Sequence, residues 1–428
     1  MAKNKKTMKP KKEISRQQLS NWQKQQKRQR LVLNISIAVV AVVFLVIGVG
    51  WYLSDYQPRH QKVLVVNGTV FRMNDYLTAL KYYSGDSAAA ASQIEPSLVS
   101  YIMEGEFIKR GAQELEVSVT DDEVEAEIKN RSLRGEYLEL VRMELTAQKV
   151  LENFASGVPT YAEHRHLKAL FVESESRALD VLEGIKAGDD FGEVAGLLSE
   201  DSYTRQQKGD LGFKIKEVLA LPSYLGTSAV GDYAFNAPLG NSINLVRDDA
   251  KSKKLGYWLI KVVEQDTQVA DNQTARVRIS GILLGSFAEA EKVKARLDSG
   301  EDFAALAGGF SQDKSSREQG GDLGWFSQDT IRPAFKSFAL ESAVTPGKVS
   351  DIIRDTATVT TGGYWLVEVL EIEENREVSS DDRALLAQAA YGDWFTSHRT
   401  SPDNKIEILI TERQRSWAVT TAIGELSR

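Results

Sequence analysis

The sequence has no cysteine, which excludes disulfides, thiolate nucleophiles and zinc–thiolate sites. A lipid-modified cysteine is excluded with them. Histidine is almost as scarce, with four in 428 residues, His60, His164, His166 and His398, and their spacing forms no metal-binding set. His164-x-His166 places two imidazoles on one face of a strand, a spacing that serves either a ligand pair or an exposed polar pair. No phosphate-cradling loop of the GxxxxGK[ST] kind is present, and no GxGxxG follows a strand-like run, so nucleotide use has no support. No metal or organic cofactor is expected.

Charge is plentiful but unevenly placed. Residues 1–30 hold eleven Lys or Arg against the single acid Glu13, a balance of +10, and the whole chain carries −7, which leaves −17 for the remainder. A basic tail alone would suggest nucleic acid, but the next stretch offers another reason for it. Leu31 to Leu53 is 23 residues without a charge, with only Asn34 and Ser36 strongly polar. About 20 apolar residues cross a bilayer as a helix, and Trp51 and Tyr52 stand where interfacial aromatics belong. The positive-inside rule then keeps residues 1–30 cytoplasmic and puts 54–428 outside the cytoplasm. A cleaved signal peptide is the rival, since Gly48-Val49-Gly50 supplies small residues for cleavage. The length of the apolar run and of the basic stretch before it favours a permanent anchor over residues 31–53.

Further along, the chain repeats itself. Gly188 to Phe213 (GDDFGEVAGLLSEDSYTRQQKGDLGF) returns as Gly300 to Phe326 (GEDFAALAGGFSQDKSSREQGGDLGWF), with Phe191/Phe303, Ser199/Ser311, Asp201/Asp313 and Asp210/Asp322 all 112 positions apart. A constant offset marks a duplicated unit. In the second copy a helix over Phe287–Asp298 ends at Gly300, a glycine suited to a helix C-terminus. Another helix begins near Asp302 with Phe303, Leu306 and Phe310 on one face. Each unit then reaches Gly-Tyr-Trp followed by alternating apolar residues, at Gly256–Val262 and Gly363–Val369, which read as closing strands.

The remaining segments frame these units. Residues 54–62 read as a polar linker, and Val63–Val70 as a hairpin turning at Asn67-Gly68. Residues 73–156 are helical in pattern, with Thr120 and Glu123 forming an N-terminal capping box. Ala270–Ala275 reads as a short polar connection. After Asn375 come a helix over Ser380–Ser397 and a strand-like run, Lys405–Ile410.

In the second unit, Ser-x-Asp, GGDLGWF, Phe335-x-x-Phe338-Ala339-Leu340, Pro346-Gly347-Lys348-Val349-Ser350 and a Gly-Tyr strand follow one another. Together they resemble the parvulin-type peptidyl-prolyl isomerases. The order Val-Asn-Gly, helix, long helix, Val-Ser-Val-Thr-Asp-Asp-Glu-Val is similar to the helical domain that precedes such units in the SurA, PrsA and PpiD group of extracytoplasmic folding factors; read without that likeness it is a helical spacer. The resemblance implies an α+β chain. Its parts are a tail (1–30), a transmembrane helix (31–53), a helical chaperone-like domain (63–160), two parvulin-like domains (161–268 and 276–373) and a C-terminal segment (379–428) that packs back on the helical domain. Each parvulin-like domain is expected to hold a small antiparallel sheet wrapped by helices.

The resemblance also names a site. Leu323, Ile331 and Phe335 match the family's proline pocket, and Asp313 stands where the family has an Asp or Cys beside the rotating amide. Read without the family, Leu323 and Phe335 are core and Asp313 is a turn cap. Asp201, Leu211 and Leu219 are the counterparts in the first unit, where the aromatic position falls on Ser223 beside Tyr224. Both units depart from the family by lacking its two histidines. Gly281 and Ala169 hold the first position, and Trp365 and Trp258 the second, with Trp365 assigned to the second unit and Trp258 to the first. Three functions are compatible with this: isomerisation of proline-containing segments of unfolded secreted polypeptides, holding of such chains without turnover, and scaffolding at the membrane. The −17 balance argues against nucleic acid as a partner.

Overall fold

The computed structural model describes residues 16–266, 276–340 and 345–427. The expected connection at Ala270–Ala275 and half of the basic tail lie outside them. The strands are β1 (Lys62–Val66), β2 (Thr69–Arg72), β3 (Tyr161–Val172), β4 (Asp210–Lys214), β5 (Gly240–Lys253), β6 (Gly256–Asp266), β7 (Arg276–Leu284), β8 (Asp322–Ser327), β9 (Ile353–Asp355), β10 (Thr360–Glu377) and β11 (Ile406–Ile408). They form three antiparallel sheets, and the chain divides into two compact units, residues 1–150 with 392–428 and residues 151–391.

The first unit begins with the helix Arg16–Trp51, and the stretch from Leu33 to His60 is long and apolar enough to cross a membrane. Its described side chains from Leu33 to Trp51 are exposed. The polar stretch after it is not a free linker. It stays helical through His60, and Arg59 pairs with Asp55 at 3.0 Å and with Glu425 at 2.5 Å. β1 and β2 turn at Asn67 (φ 51°) and Gly68 (φ 90°), the left-handed pair a two-residue hairpin needs. β11 pairs with β1 on its other edge, matching Leu64 with Ile408 and Val66 with Ile406. The helix Glu412–Leu426 buries Ala418 and Ala422 in one core with Tyr76, Leu80, Leu98 and Ile102 of the helices Met73–Tyr83 and Ala88–Glu114.

The second unit holds both sequence repeats, but its sheets do not coincide with them. One sheet runs β4-β3-β10-β5 and the other β8-β7-β6-β9. The closing strand of each repeat therefore lies in the other repeat's sheet: β10 pairs with β3 from Tyr364↔Val172 to Glu377↔Tyr161, and β6 pairs with β7 from Tyr257↔Leu284 to Asp266↔Arg276. The reason is local. Only Lys254 and Leu255 separate β5 from β6, and neither has positive φ. A two-residue hairpin requires positive φ, as Asn67-Gly68 shows, so here the chain runs straight on into the neighbouring sheet. Residues 356–359 carry the chain from β9 to β10, which also lies in the other sheet. The two crossings lie side by side, with Thr360 paired to Lys253 and the Thr360 hydroxyl donating to the Leu255 carbonyl.

Candidate functional site

The Ser-x-Asp motif does the same job in both repeats. Ser311 Oγ accepts from the Leu283 amide at 3.1 Å, and Ser199 Oγ from the Phe171 amide at 3.1 Å. Each buried hydroxyl pins the turn after a helix to the first strand of its sheet. The carboxylate two residues on then caps a short helix, because its oxygens accept from orphan first-turn donors.

In the second repeat, Asp313 Oδ1 accepts from Ser315 Oγ at 2.8 Å and Oδ2 from Ser316 Oγ at 2.7 Å. The Asp313 side chain is thus engaged in the cap. Leu323, Ile331 and Phe335 do come together, in a core cluster with Trp258, Ile260, Val277 and Ile279. Phe335 is 0% exposed, and its ring meets that of Trp258 edge-on at 5.3 Å. Arg332 covers both rings, at 5.1 and 5.8 Å from their centroids.

Trp258 also explains Gly281. A Cβ on Gly281 would stand 2.7 Å from Leu323 Cδ1 and 3.1 Å from Trp258 Cε3 and Cζ3. The indole therefore fills the space beside the position where the family carries its first histidine, and only glycine fits there. This corrects the pairing expected from the sequence. Trp258, not Trp365, closes the second repeat, because β6 lies in that sheet.

Trp365 closes the first repeat instead. Its ring lies 4.8 Å from Phe171, in a cluster with Ala169, Leu211 and Leu219. Its Nε1 donates to Asp248 Oδ2 at 3.0 Å. Asp201 Oδ1 accepts from the Thr204 amide at 2.8 Å, while Oδ2 pairs with Lys251 Nζ at 2.6 Å. Lys251 in turn donates to the Leu225 carbonyl at 2.5 Å and lies 5.5 Å above Trp365. Tyr224, beside the aromatic position, donates to Asp382 at 3.1 Å. The polar groups of this repeat are bound to one another. In the second repeat, by contrast, Trp258 Nε1 is buried with no hydrogen-bond partner among the described residues.

The histidine pair separates by partner. His166 Nε2 lies 2.8 Å from Asp210 Oδ1, and His164 Nδ1 lies 3.0 Å from the Ala162 carbonyl. Among the described residues no three His, Asp or Glu side chains gather as a metal site would need.

Sequence reasoning missed the crossing cluster. Lys253 is buried between the sheets and donates to the Thr361 and Gly362 carbonyls. Burial pushes its ammonium down to about 8, against the pull of Glu173, Glu289 and Glu200. The available signal was the absence of turn-forming residues at Lys254-Leu255.

With this geometry in view, the PPIC-type PPIASE domain family matches residues 159–266 and 285–373, and the SurA-like N-terminal domain family matches residues 20–136. The foldase protein PrsA of Geobacillus kaustophilus is 36% identical over 133 residues, covering 31% of this chain and 45% of that protein. The chaperone SurA of Methylococcus capsulatus is 29% identical over 232 residues, covering 52% of this chain and 46% of that protein. A solved PrsA structure from Bacillus anthracis overlays 76% of this chain and 95% of its own, with 13% identity and a TM-score of 0.16. The chain spans about half the length of these curated relatives.

Proposed function

Because the chain belongs to the PPIC-type isomerase and SurA/PrsA folding-chaperone family, with two PPIC-type domains behind a SurA-like N-terminal domain, we propose that it is a membrane-anchored folding factor that holds unfolded polypeptides outside the cytoplasm. In this reading residues 31–53 are the anchor, the basic residues before them stay cytoplasmic, and both PPIC-type domains hold chain segments without prolyl turnover. One observation carries it: Leu323, Ile331 and Phe335 are packed in one core with the protein's own Trp258, and Phe335 is fully buried. An isomerase must admit proline to such a pocket and lower a rotation barrier of about 18–20 kcal/mol.

A second reading, prolyl isomerisation by the second repeat, is favoured by a different observation. The three apolar residues are already gathered, and the Trp258 N–H beside them has no acceptor among the described residues, so displacement of the indole would open a pocket complete in its apolar parts. Asp313 would then stand at its polar edge.

The test is to assay the full chain in lipid vesicles, in parallel, for suppression of aggregation of an unfolded reporter and for isomerisation of a proline-containing peptide. Holding alone is expected, with isomerisation at the uncatalysed rate. Acceleration that is lost in Phe335→Ala would replace the first reading with the second. Absence of both activities would overturn both.

A further inference from the structure

Beside the strand crossing, away from Leu323, Ile331 and Phe335, lies a cleft of about 660 Å³. Arg205, Lys251, Lys253, Lys254 and Arg354 line it, against only two acids, Glu200 and Asp201. The chain beyond residue 30 carries −17 overall, so a cation-lined cleft stands against its surroundings.

Two of the five cations are already committed. Lys251 pairs with Asp201, and Lys253 donates to two backbone carbonyls. The other three are exposed. Arg205 is anchored through its Nε, which donates to the Ser199 carbonyl at 2.6 Å. Its terminal nitrogen then stops 3.7 Å from Glu200 Oε2, and that of Arg354 stops 3.8 Å from Glu200 Oε1. Glu200 is thus shared as a loose ion-pair partner by both guanidiniums, at separations longer than a hydrogen bond, and Arg354 also acts on the Tyr257 hydroxyl. Burial raises the Glu200 pKa, while Arg205 and Arg354 pull it down. Lys254 makes no side-chain hydrogen bond or ion pair among the described residues. On the rim stand two aliphatic side chains that the fold leaves in water, Leu197 at 80% and Val359 at 58% exposure.

We propose that this cleft docks an extended polypeptide segment in which a carboxylate side chain neighbours an aliphatic one. The carboxylate lies among Arg205, Lys254 and Arg354, where planar guanidinium groups suit it. The aliphatic neighbour covers Leu197 and Val359, which removes apolar surface from water. The inference rests on the client-binding reading for the ligand being a polypeptide; the chemistry of recognition is the cleft's own.

Two fluorescent twelve-residue peptides test it on the full chain, one alternating Leu with Asp and the other Leu with Asn. The Asp peptide is expected to bind roughly tenfold more tightly at low ionic strength, with the preference shrinking as salt shortens the screening length. Lys254→Glu with Arg354→Glu should remove the preference while leaving the Asn peptide's affinity and the unfolding midpoint in place. If that pair unfolds the chain, Leu197→Asp and Val359→Asp, both at exposed positions, should weaken the Asp peptide selectively. Equal binding of the two peptides, no binding of either, or a preference that survives charge reversal overturns the proposal. Inorganic phosphate that binds as tightly as the Asp peptide overturns its aliphatic half and leaves a general anion site. Aggregation suppression is read separately. A chain that fails to hold the reporter yet prefers the Asp peptide loses the holding function and keeps this cleft, and the reverse result keeps the function and loses the cleft.

Discussion

The two closing tryptophans occupy corresponding places in corresponding sheets, yet their indole N–H groups have different fates. Trp365 Nε1 donates to the buried Asp248, while Trp258 Nε1 has no acceptor among the described residues. Trp365→Phe should therefore cost about 1–3 kcal/mol, the penalty for leaving a buried acceptor unpaired. Trp258→Phe leaves a comparable cavity in place of the indole but removes a donor with no acceptor among the described residues, so it should cost less than Trp365→Phe by about that amount. Denaturant unfolding measures both, and equal losses would mean that the Trp258 N–H is satisfied in solution. Lys253 offers a second residue-scale measurement. Its ammonium is pushed from an ordinary 10.5 down to about 8, so between those values the unfolded chain binds more protons than the folded one. Stability from this group is therefore lowest below pH 8 and rises as pH climbs toward 10.5. The stability difference between wild type and Lys253→Met should change across that window; a difference independent of pH would show that Lys253 is not desolvated.

At the scale of elements, the exchanged strands make a covalent prediction, and the absence of native cysteine makes it clean. Lys168 on β3 lies opposite Glu368 on β10. Lys168→Cys with Glu368→Cys should form a disulfide on mild oxidation, because directly opposed residues in an antiparallel pair bring their Cβ atoms to about 4.5–5.5 Å. In an unexchanged pair of repeats, Lys168 would face β6 instead, and Lys168→Cys with Lys261→Cys would cross-link. Peptide mapping of the oxidised protein distinguishes the two arrangements, and the second cross-link without the first would refute the exchange. One consequence follows for each repeat taken by itself. Residues 276–373 contain the motif for a whole domain, but β10 belongs to the other sheet and Trp258 lies outside that stretch. Cut free, such a repeat must re-pair its strands before it can close.

The first unit is assembled from both ends of the sequence. β11 completes the small sheet, and Glu425 reaches the buried Lys81 at 3.2 Å as well as Arg59. Arg415 pairs with Glu95 at 2.8 Å, beside the Tyr76 hydroxyl. Removing residues 401–428 would uncover one edge of β1 and take away one of two carboxylate partners of a buried ammonium. The expected loss is at least about 3–5 kcal/mol, the cost of breaking a buried pair, seen as a lowered or vanished thermal transition for this unit. An unchanged transition would show that the C-terminal segment is an ornament of the first unit and not part of its core.

Much of this protein is determined by local pattern and so can be read along the chain. The apolar run before Leu53, the Asn67-Gly68 hairpin, the Thr120 capping box and the paired Ser-x-Asp turns each depend on residues a few positions apart, and each forms as spacing dictates. The 112-residue repeat and its likeness to the parvulin family are equally properties of order and spacing. Which strand closes which sheet is not. Gly256–Val262 and Gly363–Val369 carry nearly the same alternation of apolar residues, so either fits either sheet, and the choice falls to the crossings at Lys254-Leu255 and 356–359. The site followed that choice. Gly281 and Trp258 are 23 positions apart and belong to different repeats, and only the exchange sets one indole against the pocket of Leu323, Ile331 and Phe335. The sequence alone determined the parts; the pairing of distant strands decided which parts face one another.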